Sequence, residues 1–133
     1  MNNSSVSQPL PMTNLISASH YALALWAATC AEHVLPIFEN IYPEDDRPRQ
    51  AIEAARAWVR GELTVSEARR FAFAAHDAAR DAKDPKAIAA ARAAGHAAAT
   101  VHVAGHSQYA ARYAQKASEN PEVEKDWQEQ IFH

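Results

Sequence analysis

The side chains best suited to chemistry in this 133-residue chain belong to four histidines: His76, His96, His102 and His106. An imidazole exchanges a proton close to neutral pH and is also a common metal ligand. His102 and His106 stand four residues apart, so on a helix they would share one face, and they are the candidate metal pair. The segment between them holds no carboxylate, so the favoured interpretation is packed, hydrogen-bonded histidines with no metal or cofactor. Acid–base catalysis by the four histidines stays open.

The histidines lie on or beside an alanine-rich segment that must organise the fold. The sequence from Ala93 to Ala111 contains no acidic side chain, lysine or arginine. A helix that is apolar on every side is normally buried, so we predict a central buried helix over about residues 85–104. Asp84 is its predicted cap, with a proline next in the chain. Gly95 and Gly105 predict a close backbone approach or a break near Gly105.

The composition and patterning of the whole chain predict one all-α domain. Nearly a quarter of the residues are alanine, and no alternating strand pattern persists. We predict a compact bundle of five or six Ala-rich helices over residues 15–133, preceded by a disordered tail over residues 1–14. The first helix should run from about Ile16 or Ser19 to Phe38. Trp127 and Ile131 should dock a short last helix.

Local signals predict where other helices begin and end. Gly61 should end the second helix in the left-handed conformation. Thr64, with Glu67 three residues later, forms a capping box that should start the third helix. Arg49 and Glu53 have the spacing of an exposed ion pair within the second helix.

Charge and cysteine content limit the classes of partner. The net charge is −3, and the segment from Glu119 to the end carries five acids and one lysine. Nucleic-acid binding usually needs a basic face, so no nucleic-acid partner is predicted. A single cysteine, Cys30, excludes an internal disulfide and fits a reducing compartment. The chain is therefore expected in the cytoplasm, without a membrane partner.

A charged corner is the predicted partner-binding surface. It consists of Glu44, Asp45, Asp46, Arg47 and Arg49 around a proline that begins the second helix. The segment can serve as a helix cap and corner, and arginine is also favoured at interface hot spots. The acidic C-terminal segment is a second interface candidate, suited to a basic partner.

Several phrases of the sequence are similar to one known family. They are ALWAATCAEHVLPIFE (24–39), DDRPRQAIEAARAWVRGELTVSEAR (45–69), AAHDAARDA (74–82) and AARAAGHAAATVHVAGHSQYAARYAQKA (90–117). The chain resembles the small helical putative immunity proteins of bacterial polymorphic toxin systems over about residues 20–117. That resemblance implies a non-catalytic protein that binds and neutralises a cognate protein toxin.

Two other functions stay open. The chain could be a small helical enzyme or ligand-binding protein with a pocket lined by His76, His96, His102 and His106. It could also be an oligomerisation module whose Ala-rich helix faces pair between copies, which makes a homo-oligomer a further predicted partner.

Overall fold

Six α-helices follow one another in a computed structural model that describes residues 12–132, with side chains described from His20 onward. The helices are α1 (Met12–Glu39), α2 (Arg47–Val59), α3 (Val65–Asp81), α4 (Pro85–Ala99), α5 (His106–Ala117) and α6 (Pro121–Ile131). The described range contains no strand. The predicted all-α bundle of five or six helices is confirmed.

The first helix begins earlier in the chain than the sequence suggests. It starts at Met12 rather than at Ile16 or Ser19, and it ends at Glu39. Residues 1–11 of the predicted tail lie outside the described residues. The segment His20–Glu39 is long and apolar enough to cross a membrane. In this fold, however, one side of the helix is buried against the other helices, including Ala27, Val34 and Phe38.

Helix α4 lies at the centre of the bundle and packs against α1, α2, α3 and α5. Its buried residues are nearly all alanines, with Gly95 among them. After the exposed first two residues of the helix, only Ile88, Arg92, His96 and Ala99 are partly exposed, and they form one stripe along the helix. The prediction of a central buried helix is thus confirmed, apart from that stripe and the position of its end.

The end of the central helix differs from the prediction. Helix α4 stops at Ala99 instead of about residue 104. The Thr100 hydroxyl donates to the carbonyl of His96 at 2.9 Å, and the Thr100 carbonyl lies 2.6 Å from Nε2 of His20. Val101 is then buried in the core. These contacts turn the chain before Gly105, which immediately precedes α5.

Local signals for the helix ends operate as predicted. The Thr64 hydroxyl accepts from the Glu67 amide at 3.1 Å, and the Glu67 carboxylate accepts from the Thr64 amide, which completes the capping box. The Asp84 carboxylate accepts from the Ala87 amide at 3.0 Å. Gly61 has a φ of 78°, where a side chain would be strained.

Helix α6 docks at the edge of the bundle through polar contacts as well as its predicted anchors. Trp127 stacks on His33 with ring centroids 3.7 Å apart, and Ile131 packs against the core. Gln128 is buried, and its side-chain amide donates to the carbonyl of Ala111 at 2.9 Å. The acidic end of the chain is therefore held in place beside α1 and α5.

The alanine faces of the helices pack against one another within one chain. Five alanines along α3 and at its C-terminal end form a buried seam: Ala68, Ala72, Ala75, Ala79 and Ala82. The buried face of α4 packs against its neighbours in the same bundle. These faces are thus occupied within the chain, and homo-oligomerisation stays a prediction.

Candidate functional site

Three of the four predicted histidines meet where α3, α4 and α5 come together. His76 lies on α3, His96 on α4 and His106 on the first turn of α5. Ring centroids are 4.9 Å apart for His76 and His96, and 5.2 Å apart for His96 and His106. We call these three residues the histidine cluster. Tyr113 stacks on His96 at 5.3 Å and closes one side of it.

The position of His76 depends on Gly95. A Cβ atom on Gly95 would lie 2.7 Å from the His76 ring, which is closer than packed atoms approach. The absent side chain therefore makes room for the imidazole directly on the α4 backbone. Arg92, one turn earlier on α4, lies 2.8 Å from Nδ1 of His76. A guanidinium can only donate, so this His76 nitrogen is the acceptor.

His96 and His106 are hydrogen-bonded to each other. Their Nδ1 atoms lie 3.0 Å apart. One nitrogen must donate and the other must accept, so the two rings cannot both be protonated in this arrangement. The cluster thus has a defined hydrogen-bond order, from Arg92 to His76 and between His96 and His106. This order favours neutral imidazoles.

Burial and neighbouring positive charge keep the cluster neutral. Burial, with the Arg92 guanidinium as the next cause, lowers the pKa of His76 to about 4. Burial and the neighbouring His76 lower the pKa of His96 to about 4 as well. The pKa of His106 is also lowered, again mainly by burial. A general acid or base works best with a pKa near the operating pH, so these values do not favour that role.

His102 occupies a different position from the one predicted for it. It lies in the turn between α4 and α5 and is exposed, while His106 begins α5. The prediction that His102 and His106 share one face of a helix is therefore wrong, because α4 ends at Ala99. Within residues 20–132, no group of three or more His, Cys, Asp or Glu side chains is placed to hold a metal.

A small pocket opens beside the histidine cluster. Its volume is about 190 Å³. We call it the histidine pocket; its lining residues come from α3, the end of α4, the following turn and the start of α5, namely Arg69, Ala72, Phe73, His76, Ala99, His102 and His106. His76, His102 and His106 line the pocket, whereas His96 does not. The lining contains no carboxylate.

The charged corner forms a second candidate site at the other predicted position. Arg47 donates to both oxygens of Asp45, at 2.9 and 2.7 Å, and to Asp81 on α3 at 3.0 Å. Hydrogen bonds from Arg47 lower the pKa of Asp45. Arg49 forms a two-point ion pair with Glu39 at 2.8 and 2.7 Å. It therefore connects α2 to α1 and does not make the predicted pair with Glu53.

The backbone of the corner is held by a tyrosine. The Tyr42 hydroxyl accepts from the Lys83 amide at 2.8 Å, which ties the corner to the turn between α3 and α4. An open groove of about 600 Å³ runs along residues 41–47. Glu44 and Asp46 are exposed there. The corner thus combines internally paired arginines with two carboxylates that face solvent.

One polar site escaped the sequence reasoning. His33 Nδ1 lies 2.8 Å from the buried carboxylate of Glu124, which is 91 residues away in the chain. Nothing in the local spacing predicts that pair, although Trp127 on the same helix was a predicted anchor. Burial raises the pKa of Cys30 to about 12, with a smaller effect from Glu124. The thiol form of Cys30 is therefore favoured over the reactive thiolate.

Comparison with known proteins identifies one related family. The family model described as "Imm-5 like putative immunity protein" matches residues 13–132, which include nearly all of the six helices. No curated protein and no solved structure matches the chain.

The contact between Gly95 and His76 predicts a reversal in the effect of one substitution. In a His76→Ala background, Gly95→Ala should stabilise the protein by about 1 kcal/mol, the helix preference of alanine over glycine. With His76 present, the added methyl group must displace the ring, so the gain should vanish or become a loss. Urea unfolding of the four proteins measures this coupling. Equal stabilisation in both backgrounds would show that the ring does not lie on Gly95.

The lowered histidine pKa values predict weaker folding in mild acid. In the unfolded chain the pKa of His96 should be near its ordinary value of 6.5, whereas in the folded protein it is about 4. The unfolded state then binds more protons between these values, so the free energy of unfolding should fall as pH falls through this window. Urea unfolding between pH 7 and about 5 measures the fall before most carboxylates titrate. His96→Gln should make it shallower, and an unchanged slope would contradict the assignment.

Proposed function

Because the chain belongs to the Imm-5-like putative immunity protein family, we propose that it binds a cognate protein toxin and neutralises it without catalysis. The match over residues 13–132 is the observation that carries this proposal, since it covers the folded bundle and not a single motif. Neutralisation would follow from covering the active site or substrate groove of the toxin. We place the complex in the cytoplasm, where the single buried Cys30 would stay reduced.

The charged corner supports this proposal as a contact surface. Its backbone is fixed by Tyr42 and its arginines are already paired within the chain, so binding would order few side chains. Ile41 is 47% exposed beside Glu44 and Asp46 and offers an apolar contact among the charges. A surface of this kind suits a basic patch on a toxin.

The corner would form only part of the interface. A stable protein–protein interface usually buries about 800 Å² on each partner. The chain exposes 7402 Å², so such an interface would take up roughly a tenth of its surface. An interface of this size would extend beyond residues 41–49. Asp45, Arg47 and Arg49 would mainly hold the corner in shape, while Glu44 and Asp46 would meet the partner.

Reversing the two solvent-facing charges tests the corner. We expect Glu44→Lys with Asp46→Lys to weaken toxin binding by about tenfold or more, because unlike charges would be replaced by like charges across the interface. Asp46 makes no side-chain cap bond, so the helices should be retained. Growth of cells that co-express the toxin and circular dichroism of the purified variant measure protection and helicity.

A matched double variant on α6 distinguishes the corner from the acidic C-terminal segment, which is the second interface candidate. Glu122→Lys with Glu129→Lys makes the same change in charge at two exposed positions and should keep protection. Full protection by the corner variant would remove the corner from the interface. Loss of protection only in the α6 variant would place the interface at the acidic end of the chain instead.

A further inference from the structure

The arginines of this protein fall into two groups. Five of them contact carboxylates: Arg47, Arg49, Arg56, Arg60 and Arg80. The other four, Arg69, Arg70, Arg92 and Arg112, have no carboxylate within ion-pair distance in the part of the chain that the structure describes. Three of these four lie around the histidine cluster: Arg69 lines the histidine pocket, Arg92 contacts His76, and Arg112 lies 5.8 Å from the ring of Tyr109.

The nearest acid on α3 does not offset this charge. Asp77 follows His76 in the chain, but its carboxylate is paired with Arg80. The residues that line the histidine pocket include no carboxylate. This surface is therefore positively charged, although the chain as a whole carries a net charge of −3. Such a local charge attracts acidic groups of a partner.

Large apolar side chains surround the pocket and are unusually exposed. Phe73, which lines the pocket, is 59% exposed, and Val103 and Tyr109 are each 48% exposed. Tyr109 lies 6.0 Å from His106 between ring centroids, so it belongs to the same surface. Aromatic residues next to arginine are the composition that protein interfaces favour at their centre.

The size of the pocket indicates what could enter it. Pockets for separate small molecules usually measure about 300–1,000 Å³. The histidine pocket, at about 190 Å³, has room for one side chain. A macromolecule could insert one residue there while the rest of its surface covers the exposed apolar side chains around it.

We propose that the histidine pocket receives an aspartate or glutamate side chain from the surface of the toxin, with Arg69 as its ion-pair partner and Phe73 and Tyr109 covered by neighbouring apolar residues. This inference rests on the proposed toxin-binding function and adds a second contact, opposite in charge to the corner. Burial is the main cause that lowers the pKa values of His76 and His106, and a carboxylate bound beside these rings would raise them.

A short peptide tests the pocket without the toxin. The probe is acetyl-Glu-Phe-Glu-amide, titrated into the isotope-labelled full chain and followed by nuclear magnetic resonance. We expect saturable shifts confined to the signals of Arg69, Phe73, His102 and His106. The neutral counterpart acetyl-Gln-Phe-Gln-amide should bind about tenfold more weakly, because it cannot form the charge-assisted hydrogen bond.

Two neighbouring arginines give a matched pair of variants. Arg69 and Arg70 are both exposed on α3, but only Arg69 lines the pocket. Arg69→Glu should abolish the peptide shifts and reduce protection against the toxin, whereas Arg70→Glu should leave both close to those of the natural chain. Circular dichroism verifies that both variants fold.

The outcomes separate this inference from the proposed function. Equal binding of both peptides, or unchanged binding by Arg69→Glu, would overturn the pocket assignment and leave the proposed function standing. Full protection by Arg69→Glu would likewise remove the pocket from the toxin interface. Selective peptide binding by a chain that neutralises no toxin would overturn the proposed function, and with it the claim that the occupant comes from a toxin.

Discussion

The close packing of methyl groups around α4 is the constraint on which the rest of the structure depends. Nearly every buried position of this helix is alanine, so neighbouring helices can approach it from four sides. Packing at that distance leaves no room for large or charged side chains at the centre. Beyond its first turn, the polar side chains of α4 are therefore restricted to one stripe, which carries Arg92 and His96.

The same constraint explains the properties of the histidine cluster. Gly95 removes the one methyl group that would meet the His76 ring, so the imidazole lies against the α4 backbone and loses part of its hydration. Burial and the neighbouring cations and imidazoles outweigh the opposite effect of Asp77 on His76 and keep the rings neutral. We propose that this surface, with its arginines and exposed aromatic rings, recognises an acidic partner. The charged corner is a surface of opposite character, because its arginines are paired and its exposed groups are acids.

Much of the fold could be predicted because its signals are local. The Thr64 capping box, the Asp84 cap and the left-handed Gly61 each depend on residues within one turn of the chain. The end of α4 could not be predicted, because it depends on the burial of Val101 and the contact of His20 with Thr100. For the same reason the sequence suggested the wrong helical spacing for two histidines.

The candidate sites show the same difference between local signals and contacts made by distant residues. The sequence singled out the four histidines and the charged corner but not Arg69, Phe73 or Arg92, and several partners of these residues lie on other helices. Arg49 pairs with Glu39 across two helices, and Arg92 reaches His76 from α4 to α3. The contact of His33 with Glu124 spans most of the chain. Side-chain pairing between helices is decided by packing, which no spacing along one helix reveals.

The central claim is that this chain works by binding another protein. Native mass spectrometry of the protein, purified gently from the cells that produce it, tests that claim most directly. Our account predicts a stoichiometric complex with one toxin, whose toxicity to cells is suppressed when this chain is co-expressed. A chain that carries only a small molecule, and that loses this ligand on replacement of His102 by alanine, would contradict it.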